Sequence, residues 1–209
     1  HTLPAQPERA SLRETVRVWA LHLLCFVLPV ACLAFLLSAP HPWWASLPWL
    51  GVVALSIVAD VRSRSERRQP ARTLPGWPFD GVLYALFALQ VANVGLLVHM
   101  VATEGFFRMD TLVGWQLVGI ASGYTGIVVA HEMMHRPRKH MHVLARILMG
   151  LVLYEHFFTE HIRGHHVRVG RGEDPATARY GEDFRSFLRR TQVAQLRSAW
   201  RLEAKRLGD

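Results

Sequence analysis

The chain has 209 residues, of which 51% are hydrophobic and 19% charged, and its mean hydropathy is +0.15. Length alone would allow a soluble core, but the apolar residues fall into long blocks with the charge between them, which excludes an ordinary water-soluble domain. The net charge of +8, from 24 Lys+Arg against 16 Asp+Glu, lies beside those blocks and so points to anionic lipid rather than nucleic acid.

The chain begins at His1 rather than Met, so a few residues are expected to precede it. A charged arm with Arg9, Arg13 and Arg17 comes before the first apolar block, without a small-residue cleavage site, so it does not read as a secretory signal. Four blocks are long enough to cross a hydrocarbon core about 30 Å thick, which takes about 20 helical residues. They cover 18–38, 43–59, 81–102 and 111–130. Each should be helical, because backbone groups in lipid must be satisfied within the segment. Cys25 and Cys32 lie seven residues apart in the first block, too far to pair with each other, and read as small packing residues. Pro29 should kink that helix. Trp43 and Trp44 mark a membrane interface at the start of the second block, the shortest of the four.

The loop after the second block carries Arg62, Arg64, Arg67, Arg68 and Arg72. The loop after the third offers only Arg108 beside Glu104 and Asp110. An excess of arginine marks the cytoplasmic side, so the N-terminus and the arginine loop should both lie there. An even number of spans then returns the chain to the cytoplasm from residue 131, in agreement with Arg136, Arg138 and Lys139. Residues 141–158 are apolar but hold Arg146, Glu155 and two histidines, and read as a helix at the interface or under the bundle, not a fifth span. From 167 the sequence turns polar, with helical spacing over 184–207. The expected fold class is therefore all-α integral membrane. Residues 1–130 form a transmembrane helical region, and 131–209 a cytoplasmic-side histidine region with a partial helical cap.

Twelve histidines are present, and eight fall between residues 131 and 166. In His131-Glu132-Met133-Met134-His135 two imidazoles lie four residues apart, so on a helix they point the same way and can share a metal. In Glu160-His161-Ile162-Arg163-Gly164-His165-His166 the spacing recurs between His161 and His165, and His166 adds a donor. Gly164 leaves room for backbone close to a metal. HExxH alone also fits a zinc protease with Glu132 as general base. Such a site uses three protein ligands and one open position, whereas five well-spaced histidines suit two ions. Neutral nitrogen ligands of this kind suit iron that activates dioxygen. His22, His41 and His99 read as packing or interface residues, and His140 and His142 as solvated surface beside Arg138 and Lys139. His156 lies five before His161, a poor helical register for a shared metal. It is placed behind the ligands, together with Glu132, Glu160 and Asp174, where such groups orient ligand rings.

At HEMMHR (131–136), HFFTEHIRGHHVRVGRGEDPATARYGEDFRSFLRR (156–190) and LRSAWRLEAKRL (196–207) the chain resembles the membrane alkane 1-monooxygenases, within the wider membrane fatty-acid desaturase and hydroxylase superfamily. The first box begins thirty residues before His161, as in that family, and the runs Asp174–Glu182 and Ser198–Glu203 are family-like beyond the histidines. The match covers about residue 130 to the end, and the preceding helices agree only in kind. The resemblance implies a non-haem di-iron centre with His131, His135, His161, His165 and His166 as iron ligands. It further implies six membrane helices in the whole fold and histidines on the cytoplasmic side of a bacterial inner membrane. The implied reaction is hydroxylation of the terminal methyl of an alkane or alkyl chain, a hydrocarbon or lipid-like substrate, with O2. Electrons would come from NADH through rubredoxin reductase and rubredoxin.

Ile162 stands where the alkane hydroxylases commonly have Asn, and Arg136 where Lys is frequent, which keeps an aromatic-methyl (xylene-type) hydroxylase close. A fatty-acid desaturase, an inactive truncated homologue and a membrane HExxH zinc protease are the further alternatives. The family's third box, a RHxxHH pattern, and the histidine of an NYxEHYG-like stretch are not among these 209 residues. With five of nine expected ligands, the chain reads as an N-terminal part that alone should not hold two irons in working geometry.

Overall fold

A computed structural model describes residues 11–63 and 74–208. Arg9, Arg64, Arg67, Arg68 and Arg72, which carry part of the orientation reading, lie outside the described residues. Among the described residues the regular structure is helical, and four helices are long and apolar enough to cross a membrane: α1 (Leu12–Ser38), α2 (Trp43–Arg62), α3 (Trp77–Glu104) and α4 (Met109–Met134). They enclose the four apolar blocks and run past them, because helix bonding continues into residues too polar for the hydropathy pattern. At the start of α1, Ser11 Oγ accepts from the Glu14 N–H at 3.2 Å and so caps a turn that lies before the apolar block. A 3₁₀ turn at Leu24–Phe26 interrupts α1. Pro29 has no N–H for the carbonyl of Cys25, so the turn before it tightens instead of continuing the regular ladder.

The chain divides into two compact units, 1–125 and 126–209. In the first, α1 packs against α3 and against the first part of α4, around Cys32, Phe35, Met100, Leu117 and Ala121. Gly114 lets α4 come close, since a Cβ there would stand 3.2 Å from the Phe35 ring. α2 buries only 6% of its apolar window and turns Leu55, Ile57 and Val61 outward, as a helix solvated by lipid does. Several polar groups inside this unit are paired, although Asn93 Oδ1 and Thr111 Oγ1 are buried without a partner. Gln90 Nε2 donates to Ser122 Oγ at 2.7 Å, Thr125 Oγ1 donates to Gln90 Oε1 at 2.5 Å, and Asn93 Nδ2 donates to the Pro29 carbonyl at 2.9 Å.

His41 is fixed rather than merely packed. Its backbone N–H and ring Nδ1 bond the two carboxylate oxygens of buried Asp110 at 2.8 and 2.9 Å, Ser46 Oγ donates to the same group at 2.9 Å, and the imidazole stacks on Phe35. Asp110→Ala removes the shared acceptor of all three donors. The variant should lose about 1–3 kcal/mol, the cost of stranding a buried donor, seen as an earlier thermal transition in detergent. Asp110→Asn, which keeps one acceptor oxygen, should lose less, and a wild-type melting point for both would remove this tether from the fold.

In the second unit the last turns of α4, Val129–Met134, pack against α5 (Lys139–Leu151), with Met133, Met141, Ala145, Leu148 and Met149 buried. The single helix expected over 141–158 is broken. Tyr154 N–H reaches back to the Met149 carbonyl at 2.8 Å, and Leu153 takes a left-handed conformation with φ of 56° on the surface. α6 (156–168) follows and contains a π-helical segment, Glu160–His165. A loop then leads to α7 (Phe184–Leu207), capped by Asp183, which accepts from the N–H groups of Arg185 and Ser186. α7 packs along α6.

Candidate metal centre

His131 stands in the last turns of α4 and His135 at its end, still helical in φ and ψ, so the two rings share a face with centroids 4.7 Å apart. Their Nε2 atoms are 3.3 Å apart, and His135 Nε2 is 3.0 Å from His161 Nε2 on α6. His166 Nε2 lies 3.0 Å from that same His161 atom. Ligand nitrogens of His131, His135 and His161 all fall within 4.8 Å of one another.

Four imidazoles thus converge through one atom type. A hydrogen-bonded chain of neutral rings explains this poorly, because each Nε2 carries either one proton or one lone pair, and His135 and His161 each face two neighbours. A shared cation explains it directly. With metal–nitrogen bonds of about 2.0–2.1 Å, adjacent ligand nitrogens stand about 3.0–3.4 Å apart. The donor set and its spacing fit a metal.

Electrostatics favour the same state. Burial, then the crowding of His131, His166, His135 and His165, pushes the His161 imidazole down to about 3, so its ring is neutral near pH 7 and keeps the lone pair a metal needs. His161 is buried while His135 is exposed, which leaves one side of the cluster open.

The π-helical segment decides which histidines meet. With i→i+5 bonding, the residue five along is brought round toward the face from which an α-helix would turn it away. His166, not His165, therefore touches His161 through Nε2. His165 stacks on His161 with centroids 5.4 Å apart, and its Nδ1 bonds Asp174 Oδ2 at 2.8 Å. Asp174 is buried, which pushes its carboxyl up. Donation from Thr177 Oγ1, the Ala176 N–H and His165 overcomes that and holds it below the usual carboxylate range. A carboxylate on Nδ1 fixes the tautomer that leaves Nε2 as the free donor.

The other residues placed behind the ligands behave differently from one another. Glu160 is buried, but its partner is Arg168 Nη2 at 2.8 Å, not a histidine. Glu132 is half-exposed and paired with Arg136 Nη2 at 2.9 Å. His156 lies edge-on to Tyr154. His142 is held against the Arg136 carbonyl at 2.7 Å and is not solvated surface, whereas His140 is exposed. Gly164 does make room, though not for a metal. The space beside it is filled by Glu160 and Arg168, both within 2.5 Å of where a Cβ would stand.

Residues outside the histidine pattern support the site. Arg168 also donates to the Gly164 carbonyl and to Ser198 Oγ, Thr159 Oγ1 donates to Glu203 Oε1 at 2.6 Å, and Tyr154 OH donates to Gln195 Oε1 at 2.7 Å. α7 is thereby fastened to α6 and its approach at three points. The signal for two of them was the run Ser198–Glu203, visible in sequence as a pattern without a stated task.

Fold and site together define an all-helical integral membrane protein with a histidine cluster that could hold a metal ion. Residues 109–208 match the fatty acid desaturase family model. It is 32% identical over 192 residues to alkane 1-monooxygenase 2 of Pseudomonas aeruginosa, covering 82% of this chain and 50% of that protein. It is 43% identical over 95 residues to alkane 1-monooxygenase 1 of the same organism, covering 45% and 25%. Alkane 1-monooxygenase 1 of Alcanivorax borkumensis is 26% identical over 197 residues, covering 91% and 48%. The chain spans about half the length of the relatives it matches most fully.

Gly164→Ala should force the Glu160–Arg168 pair apart. Glu160 is buried and Arg168 half-buried, so parting them strands a buried carboxylate and the variant should unfold at lower temperature or denaturant. Unchanged unfolding would mean that Gly164 has no such neighbours.

Proposed function

We propose that the chain belongs to a membrane monooxygenase that hydroxylates the terminal methyl of an alkane or alkyl chain. The observation that carries this reading is the meeting of His131, His135 and His161 nitrogens at metal-ligand spacing, with His166 Nε2 beside that of His161, in a chain similar to alkane 1-monooxygenases. His131, His135, His161, His165 and His166 would hold the metal, read as two iron ions. Bound there, iron supplies the activation of O2 and the oxidation of an unreactive C–H bond.

The chain's own residues bind and orient. His131 and His135 present their nitrogens from the end of α4, and His161 and His166 from the π-helical segment. Asp174 turns the His165 ring so that Nε2 is free. The alkane, O2 and a rubredoxin donor supplied by rubredoxin reductase and NADH enter this reading by likeness to the family. A xylene-type substrate or desaturation are the alternatives within it. The protease alternative fits less well. A general base must reach the metal-bound water, and the Glu132 carboxylate is instead taken up by Arg136.

The test is iron and zinc content with NADH-dependent hydroxylation in the full-length protein, on octane, a longer alkane and xylene. His131→Ala, His135→Ala, His161→Ala, His165→Ala and His166→Ala should each lower bound iron and abolish turnover, and His22→Ala should not. Glu132→Gln should keep its iron, because an exposed ion pair is worth only about 0–1 kcal/mol. One tightly held zinc, no iron and peptide cleavage that vanishes with Glu132→Gln would sink the oxygenase.

The reading also places the histidines on the cytoplasmic side of a bacterial inner membrane, from the arginine asymmetry of the loops. Introduced cysteines in the loop 104–110 should react with an impermeant thiol reagent in intact cells, and those in the loop 60–80 only after lysis. Labelling of the second loop in intact cells reverses the orientation.

A further inference from the structure

We propose that Arg190 is a positioning residue for the metal centre, acting through the loop 174–182 and Asp174 on the ring of His165. The proposal rests on the metal reading above. Arg190 touches no histidine. Its Nε and Nη2 grip both oxygens of Glu182 at 2.7 and 2.8 Å, Nη1 donates to the Pro175 carbonyl at 3.2 Å, and Nη2 to the Thr177 carbonyl at 3.0 Å. One planar guanidinium thus ties the two ends of the loop together.

The grip falls where it matters for Asp174. Pro175 and Thr177 flank Ala176, and Ala176 N–H and Thr177 Oγ1 are the two donors that hold the Asp174 carboxylate beside His165 Nδ1. Thr191 Oγ1, one residue along α7, also donates to the Pro175 carbonyl at 2.9 Å. The loop has no helix of its own, and Gly181 sits at φ of 72°. Released from Arg190, such a segment regains conformational freedom, and Asp174 loses its fixed address. A lysine cannot replace the grip, because a single ammonium does not present the planar fork that reaches a carboxylate and two carbonyls together.

Co2+ alone serves as the probe, titrated into the full-length protein in neutral detergent, with the affinity and the visible d–d band as readouts. Arg190→Met and Arg190→Lys should each weaken Co2+ binding by about 10–100-fold, the usual loss for groups that orient ligands, and should alter the band. Asp174→Asn should do the same, and the Arg190→Met/Asp174→Asn double variant should be no weaker than either single one, since both act on one ring. Arg189→Met, next along the helix and exposed, should leave affinity and band unchanged. Wild-type affinity and band in Arg190→Met would overturn the proposal even if the protein melted earlier. If Arg190→Met fails to fold, Thr177→Val decides: it removes one donor to Asp174 and must weaken Co2+ binding, and no change refutes the link. Wild-type Co2+ binding in both His135→Ala and His161→Ala would instead remove the metal reading, and this proposal with it.

Discussion

The geometry of the histidine cluster depends on the buried ion pair between Glu160 and Arg168. It lies against the π-helical segment, with Arg168 reaching at once to the carboxylate, to the Gly164 carbonyl and to Ser198 on α7. Pairs of this kind rarely add much net stability, because removing two charges from water offsets most of their attraction. What this one contributes is shape. A carboxylate adjacent in sequence to His161 is held by Arg168 at the end of the same helix, and Arg168 in turn reaches Ser198 on α7, which braces the backbone that carries His161. Gly164 is the steric condition for that arrangement, since the volume of a methyl group is already occupied by the pair.

The cluster itself is a problem of lone pairs. Rings held within 4.5 to 5.1 Å of one another cannot all be protonated, and those around His161 resist a positive charge on it from several directions. A folded chain tolerates such crowding at little cost when the rings are neutral and a cation takes the place of the missing protons. The cluster therefore stores a preference for metal in the placement of neutral donors, with the carboxylates kept one step away. Asp174 acts through the rear nitrogen of His165, Glu160 through the backbone course of α6, and Glu132 is spent on Arg136.

The spans were legible because hydropathy is a composition signal: lipid demands apolar surface along the whole helix, and the blocks around Cys32, Val53, Leu86 and Leu117 supply it. Their ends were less legible, since Ser11 and Glu14 extend α1 through capping, which hydropathy does not register. The five histidines were visible from spacing, and the family resemblance named them. How they pair was hidden, because nothing in Glu160–His166 announces a π turn in place of an α turn. The break after Leu151 was equally silent. It depends on a left-handed Leu153, a conformation that leucine seldom adopts and that only the surrounding fold imposes. Arg168, Arg190 and Gln195 escaped for a further reason. Their partners lie 8 to 41 residues away, and no local pattern records a hydrogen bond across a loop.

Why the second box carries two adjacent histidines follows from the π register. Neighbours on a helix point in directions roughly a quarter-turn apart, about 100°, so His165 and His166 cannot face one point together. On an α-helix His165 would join His161 in the cluster and His166 would be turned away. With i→i+5 bonding His166 takes the inner place, and His165 is rotated toward the loop, where Asp174 receives its Nδ1. The doubled histidine thus gives one helix two outlets, one toward the shared centre and one whose ring can be steered from behind. Sliding the segment back to α register would exchange those roles and pull His166 off His161. The ion pair that lies against the π turn therefore bears, as much as any single imidazole does, on which nitrogens meet in the cluster.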